Sequence, residues 1–168
     1  MTEWTLARAV DVCLHAYAEH LLRLIGQCPK GMEMTGPDGT VVNLTSVSDV
    51  MSRAFDRTVR EVAAEVHRPL EVHRKAAQRL AGTREGGFIG VLLAPFTFRP
   101  TLGTVIGYLN AELKRRIAQF ETRAREGKAD LHAPLEVQAE RAGRTIAYVM
   151  MIETTKRYRK VAAHAVIG

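Results

Sequence analysis

Three pairs of side chains that ligate metals in other proteins stand at helical spacing in this sequence. His67 and Glu71 are four residues apart. So are His15 and Glu19, and Glu61 and Glu65. Residues at this spacing share one face of a helix, where an imidazole and a carboxylate can chelate together. One hypothesis is therefore a metal-dependent helical-bundle enzyme centred on the last two of these pairs. Di-metal bundle proteins also use Glu-x-x-His pairs, and the sequence has none, so no cofactor is predicted.

The nucleophilic residues form no recognised catalytic motif. The only serines are Ser46, Ser48 and Ser52, and none lies in a Gly-x-Ser-x-Gly elbow. Cys28 would become a reactive thiolate only with an imidazole beside it, and an inert thiol is the simpler interpretation. The glycines of segment 86–90 match neither a phosphate-binding loop nor a dinucleotide fingerprint. No small-molecule substrate is evident, and a non-enzymatic protein is favoured.

Lysine and arginine runs form the most suggestive charged pattern. The net charge is +6 and the isoelectric point is near 9.7, which favours acidic partners such as nucleic acid. If the last two helices fold back on each other at 127–131, residues near 116 face those near 142–144. A second hypothesis is therefore a nucleic-acid-associated protein that binds phosphates through these runs. Its candidate residues are Arg99, Lys114, Arg115, Arg116, Arg123, Arg125, Lys128, Arg141, Arg144, Lys156, Arg157, Arg159 and Lys160.

Composition also limits where the protein acts. The two cysteines, Cys13 and Cys28, do not make a disulfide framework in a chain of 168 residues. No signal peptide is visible at the start. The longest apolar run, Phe88 to Phe98, contains Pro95 and is far shorter than the ~20 residues that span a bilayer. A cytoplasmic location, or a particle assembled there, is predicted, with no membrane span.

The last segment, Pro134 to Ile167, is the longest predicted helix. Its apolar face is predicted from residues spaced three and four apart, and a pair of threonines at 154 and 155 interrupts that face. At ~1.5 Å per residue the helix would be about 50 Å long, which is more than a compact domain of this size accommodates. Three alternatives are open: an elongated molecule, a break near Thr154, or an end that packs on another chain. The face consists of Leu135, Ala139, Ala142, Ile146, Val149 and Met150.

The remaining elements predict a mainly α fold: one domain over 1–168, an elongated bundle of four to five helices with one small β-hairpin. The hairpin follows from alternating residues around the turn Gly36 to Gly39. Ser46 and Asp49 have capping-box-like spacing at the start of the second helix. The predicted elements are helix 3–26, hairpin 31–44, helix 46–69, helix 70–81, an apolar connector interrupted by glycine and proline at 83–100, and helix 101–126.

Three helices with heptad-like apolar seams carry more apolar length than one chain of this size covers. We therefore expect a homo-oligomer or other protein subunits as partners. The leading hypothesis is a non-enzymatic structural or adaptor component of a larger bacterial or phage assembly, acting through helix–helix and hairpin contacts. The hairpin and the connector are its predicted projecting elements. The candidate contact residues are Val41, Leu44, Phe88, Ile89, Leu92, Phe96 and Phe98.

Overall fold

The computed structural model describes residues 2–67, 102–127 and 132–167. The predicted fold class is confirmed, because this part of the chain is a helical bundle with one small antiparallel hairpin. The predicted helix at 70–81 and the connector at 83–100 lie outside the described residues. The elements are α1 (Thr2–Leu22), β1 (Glu33–Thr35), β2 (Val41–Asn43), a 3-10 turn (Thr45–Val47), α2 (Ser48–Val66), α3 (Leu102–Glu126) and α4 (Leu135–Ile167).

The first two helices run antiparallel. After α1, Gly26 takes a φ of +82°, and its N–H donates to Oδ1 of Asp56 on α2 at 3.0 Å. At the other end of the pair, the imidazole of His15 on α1 meets that of His67, the residue that follows α2. Residue numbers therefore rise along one helix as they fall along the other.

The long helix α4 runs antiparallel to α1 through a polar contact in the core. The Tyr17 hydroxyl is hydrogen-bonded to the Thr155 hydroxyl, and both residues are fully buried. Further along α4, the Tyr158 hydroxyl donates to the carbonyl of Cys13 at 3.0 Å. Because α1 is antiparallel to both α2 and α4, these last two helices run parallel to each other.

The helix α4 packs on α2 through a row of small side chains that coincides only in part with the predicted apolar face. A Cβ atom added to Gly143 would lie 2.2 Å from the carbonyl oxygen of Met51, so α2 and α4 are in very close contact there. The predicted face is correct in part: Leu135 and Val149 are 38% and 49% exposed, but its other members are buried or half-buried against the core. Those members are Ala139, Ala142, Ile146 and Met150. Rows of residues spaced by four are one of the two ridges by which helices pack. The buried row is Ala139, Gly143, Ala147, Met151 and Thr155.

The two threonines do not break α4. The hydroxyl of Thr154 donates to the carbonyl of Met150 at 2.9 Å, and that of Thr155 donates to the carbonyl of Met151 at 2.6 Å. Each side chain thus bonds to the carbonyl four residues earlier, which a helix tolerates. The helix continues for 33 residues to Ile167, and at ~1.5 Å per residue it is about 50 Å long. Of the three alternatives, the break near Thr154 is wrong.

The hairpin forms where the sequence predicts it. Thr35 pairs with Val41 in the antiparallel register, and Gly39 closes the turn with a φ of +83°. Just past β2, the N–H of Leu44 donates to the carbonyl of Met32 at 2.8 Å. Leu44 is fully buried, so its predicted role as a projecting contact residue is wrong: it anchors the hairpin to the core.

The helix α2 begins differently from the prediction. Its N-cap residue is Val47, and no side chain caps it, so the capping box of Ser46 and Asp49 does not form. The chain instead enters α2 through the 3-10 turn, whose start is held by Asn43. The Asn43 side-chain oxygen accepts from the N–H of Thr45 at 2.9 Å and also from its hydroxyl. Asn43 therefore holds the start of the 3-10 turn that leads into α2.

Candidate functional site

The register between α3 and α4 separates basic residues that the sequence predicted to face each other. The ring of Phe120 lies 6.1 Å from that of Tyr148, so the turn of α3 around Phe120 is level with Tyr148. Because α3 and α4 are antiparallel, Arg116, four residues before Phe120, is level with about residue 152, four residues after Tyr148. It is not level with 142–144. The first turns of α4 extend past the end of α3. Arg141 and Arg144 therefore lie apart from the 114–116 run, contrary to the prediction.

Arg116 is not available to a phosphate. It is only 3% exposed, and its guanidinium is surrounded by acceptors of this chain. Nε lies 3.3 Å from the carboxylate of Glu112, and Nη1 lies 3.3 Å from that of Glu65. Nη1 also donates to the side-chain oxygen of Gln119 at 3.2 Å. The assignment of Arg116 to the phosphate-binding set is wrong, because its charge neutralises internal carboxylates.

The Glu112 carboxylate shows what this internal pairing does. Burial alone would raise its pKa, but hydrogen bonds and charges from Arg115 and Arg116 outweigh burial and lower the pKa below its usual value. Arg115 reaches the same carboxylate at 2.6 Å. Glu112 is therefore held ionised between two arginines, which makes it a structural group.

Two more arginines of α3 are paired within the chain. The guanidinium of Arg123 lies 5.8 Å from the centre of the Tyr148 ring and 3.6 Å from the Glu65 carboxylate. Arg125 is 79% exposed and lies 3.8 Å from Glu121 one turn earlier. Salt bridges as exposed as this one hold a side chain only weakly.

The second basic run stays on the surface of α4. Lys156, Arg157 and Lys160 are exposed and Arg159 is half-buried, while Lys156 lies 3.8 Å from Glu153. Lys114, on α3, is also exposed, and by the register above it is level with the start of this run. Arg99 and Lys128, predicted members of the same set, lie outside the described residues.

The predicted four-residue metal centre does not assemble. The Glu65 carboxylate pairs with Arg116 and Arg123 on α3, so it is committed elsewhere. Glu61 is exposed on α2, and it does not line the cleft in which His15 and Glu19 lie. Across residues 2–67, 102–127 and 132–167, no three His, Cys, Asp or Glu side chains are grouped closely enough to hold a metal ion.

The surface of the described bundle includes the two depressions defined here. The first, of about 240 Å³, lies between α1 and α2 and is here called the α1–α2 cleft; it is lined by His15, Ala18, Glu19, Leu22, Arg60, Ala63, Ala64 and His67. The second, of about 70 Å³, lies between the hairpin and α4 and is here called the hairpin groove; it is lined by Met32, Met34, Gly127, Gln138, Arg141, Ala142, Thr145 and Ile146.

Predicted contact residues fall into three groups. Val41 is 57% exposed on the hairpin, as a projecting residue should be, whereas Leu44 is buried as described above. The connector residues Phe88, Ile89, Leu92, Phe96 and Phe98 lie outside the described residues. The exposed side chain of Val149, one turn beyond the hairpin groove, was missed because the sequence pattern assigned it to the buried face.

The buried hydroxyl of Tyr17 is a polar group of the core rather than a catalytic one. Thr155 donates its single hydroxyl proton to the Met151 carbonyl, so the Tyr17 hydroxyl is the donor in the bond between the two side chains. Burial raises the pKa of Tyr17 to about 12, from a usual value of 10.0. The folded state therefore requires the protonated phenol.

We expect Tyr17→Phe to remove part of the alkaline instability of the protein. Between pH 10 and 12 the unfolded chain releases the Tyr17 proton while the folded chain keeps it, so the free energy of unfolding falls as pH rises. A pKa difference of two units lowers the free energy of unfolding by about 2–3 kcal/mol by pH 12. Denaturant unfolding at pH 9 and at pH 11.5 measures this. At pH 9 the free energy of unfolding of the variant should be about 1 kcal/mol lower than that of the parent, because one hydrogen bond is missing. Between pH 9 and pH 11.5 it should fall less than that of the parent. Equal declines would contradict the assignment.

Two further observations bear on what the chain does. No helix in the described part of the chain is long and apolar enough to cross a membrane. In comparisons with known proteins, no family model, no curated protein and no solved structure matches this chain.

Proposed function

We propose that this chain is a non-enzymatic structural or adaptor subunit of a larger assembly, acting through helix–helix and hairpin contacts. The observation that supports the proposal most is the apolar surface where the hairpin meets α4. Met34 and Ile146 line the hairpin groove and are half-buried. Val149, three residues after Ile146 on α4, is 49% exposed. We call Met34, Ile146, Val149 and the hairpin groove the hairpin–α4 surface.

The helix α4 has a separate face for its own bundle. Its row of small residues packs against α2 at Gly143, and that row does not include Val149. A large apolar side chain that stays exposed beside a groove, as Val149 does, supports a protein contact site there. The methionine side chain of the groove, Met34, can adapt its shape to an incoming side chain.

A second copy of the same chain is the occupant that we propose. The hairpin groove and the projecting Val149 are close together on one surface, so two copies related by a two-fold axis can each offer a groove to the valine of the other. Contacts of this self-complementary kind are the commonest in symmetric oligomers.

Val149→Glu should weaken self-association of the purified chain by at least about tenfold, because a buried unpaired carboxylate costs more than 1.4 kcal/mol. Native mass spectrometry and sedimentation over a range of concentrations measure the effect. Val12→Glu is the matched control, since Val12 on α1 is 62% exposed and lies outside the hairpin–α4 surface. A chain that stays monomeric at high concentration, or equal weakening by both substitutions, would overturn the proposal.

A second candidate function is association with nucleic acid. It is supported by three exposed cations of the second basic run on α4, Lys156, Arg157 and Lys160. Three neutralised phosphates correspond to a slope of about −2.7 in log affinity against log salt. Nucleic acid that copurifies with the native particle and leaves with that salt dependence would favour this candidate over the first.

A further inference from the structure

The α1–α2 cleft brings together two imidazoles that are 52 residues apart in the sequence. His15 lies on α1, and His67 is the first residue after α2. Their ring centres are 4.6 Å apart, with 64° between the ring planes. Both side chains are exposed. Alanines 18, 63 and 64 line the same cleft, and their short side chains leave about 240 Å³ open beside the two rings.

We propose that this cleft binds a divalent transition-metal ion of the zinc class through one nitrogen each of His15 and His67. Two imidazoles on one tetrahedral zinc ion, with Zn–N distances of ~2.0–2.1 Å, have ring centres about 5 Å apart. The separation of 4.6 Å is close to that value, so small ring rotations suffice to bring both nitrogens onto one ion. Imidazole nitrogen is a ligand that suits zinc, copper and nickel.

Glu19 supports the ring of His15 from the side. Its Oε1 lies 3.9 Å from Nε2 of His15, one helical turn away on α1. A histidine bound to a metal commonly donates its other N–H to a carboxylate, which fixes the orientation of the ring. A small ring rotation that shortens the 3.9 Å separation would let Nε2 of His15 donate to Glu19 and leave Nδ1 to bind the ion. The described part of the chain supplies no third ligand group, so water completes the coordination.

The charges around the cleft favour binding of a cation, with modest affinity. His67 caps the carboxyl end of α2, where the unpaired carbonyls carry the negative end of the helix dipole. The Glu19 carboxylate adds a negative charge, and Arg60, which lines the same cleft, opposes it. The described residues around the cleft supply no cage of oxygen ligands, so an ion of the zinc class is preferred there over magnesium and calcium.

An ion held in this way links the middle of α1 to the end of α2. Binding to the folded chain alone stabilises it, because the two ligands come together only when the antiparallel pair has formed. The bound ion would therefore cross-link α1 and α2, at a site separate from the hairpin–α4 surface.

The test is a titration of the full chain with zinc chloride, followed by calorimetry and by thermal unfolding. We expect one ion per chain, and a Tm higher by about 5–10 °C when zinc reaches a hundred times its Kd. Magnesium chloride should give neither signal. His15→Ala and His67→Ala should each weaken zinc binding at least about tenfold. Both side chains are exposed, so the variants should fold.

His132→Ala is the matched control, because His132 is exposed and lies outside the cleft, in the turn before α4. Its zinc affinity should equal that of the parent chain. The proposal is overturned if zinc does not bind, or if either cleft variant binds zinc as tightly as His132→Ala does. The second result would place the ion elsewhere on the chain.

Discussion

Gly143→Ala is expected to destabilise the protein by about 2–3 kcal/mol, although alanine is the better helix former. The added Cβ would lie 2.2 Å from the Met51 carbonyl oxygen and 3.2 Å from the Cβ of Ala54. The first obstacle is backbone, so α2 itself must move, and the cost should lie at or above the upper end of the range of about 1–3 kcal/mol that overpacking typically causes. The gain in helix propensity, up to ~1 kcal/mol, offsets only part of this cost. Thermal unfolding should show a Tm lower by about 5–10 °C.

Gly107→Ala is the matched control within the same bundle. Gly107 lies in α3, is exposed, and has nothing within 4 Å of the position that its Cβ would take. Alanine there should stabilise the chain by about 0.5–1 kcal/mol, because it loses less backbone entropy on folding. The two substitutions should thus differ in sign. If Gly143→Ala were as stable as Gly107→Ala, the close packing of α4 on α2 would be wrong.

The contact at Gly143 also shows why sequence alone misplaced part of the buried face of α4. Helix length was predictable: residues 134–167 were expected, and Leu135–Ile167 form the helix. The buried face was predictable only in part, because the pattern included Leu135 and Val149 and omitted Gly143, whereas the bundle selects small residues that admit a neighbouring backbone. Small size is informative only when the position of the other helix is known.

Local structure was the most predictable. The turn of Gly36, Pro37, Asp38 and Gly39 specifies a hairpin with its own residues, so the strands formed where they were expected. The start of α2 failed on an equally local scale, because Asn43 offers the chain a competing turn. Sequence patterns mislead where a segment can form either of two local hydrogen-bonded structures.

The candidate sites were less predictable, for reasons of register. His67 was not joined to His15, because only the antiparallel pairing of α1 and α2 brings the two rings together. The burial of Arg116 did leave a signal: it falls on the helical face that also contains Leu113 and Phe120, all three being buried. The basic residues just before it in the sequence, Lys114 and Arg115, concealed that signal. A cation at an apolar position is better interpreted as an internal ion pair than as a phosphate ligand.

Arg116→Met should destabilise the protein by about 3 kcal/mol, because it removes the charge that two partly buried carboxylates share. Breaking a buried pair from one side typically costs 3–5 kcal/mol. Arg115 still reaches Glu112, and Arg123 still reaches Glu65, so the lower end of that range applies. Arg125→Met is the matched control: its 79% exposed side chain should cost less than ~0.5 kcal/mol. Equal costs for the two variants, measured by denaturant unfolding, would show that the Arg116 cluster is not stabilising.

The dependence of the free energy of unfolding on pH below neutrality tests the same cluster independently. The pKa of Glu112 is lowered in the folded protein, so its contribution to stability is present above the usual value of 4.5 and is lost as pH falls through the folded pKa. Arg116→Met weakens the charge and hydrogen bonds that lower this pKa. The variant should therefore lose less stability than the parent between pH 5 and about pH 3. Adding Glu112→Gln should recover at least ~1 kcal/mol at pH 7, because the carboxylate left without Arg116 is then neutral. A double variant no more stable than Arg116→Met would mean that Arg115 alone satisfies Glu112, and that the buried guanidinium serves Glu65 and Gln119 instead.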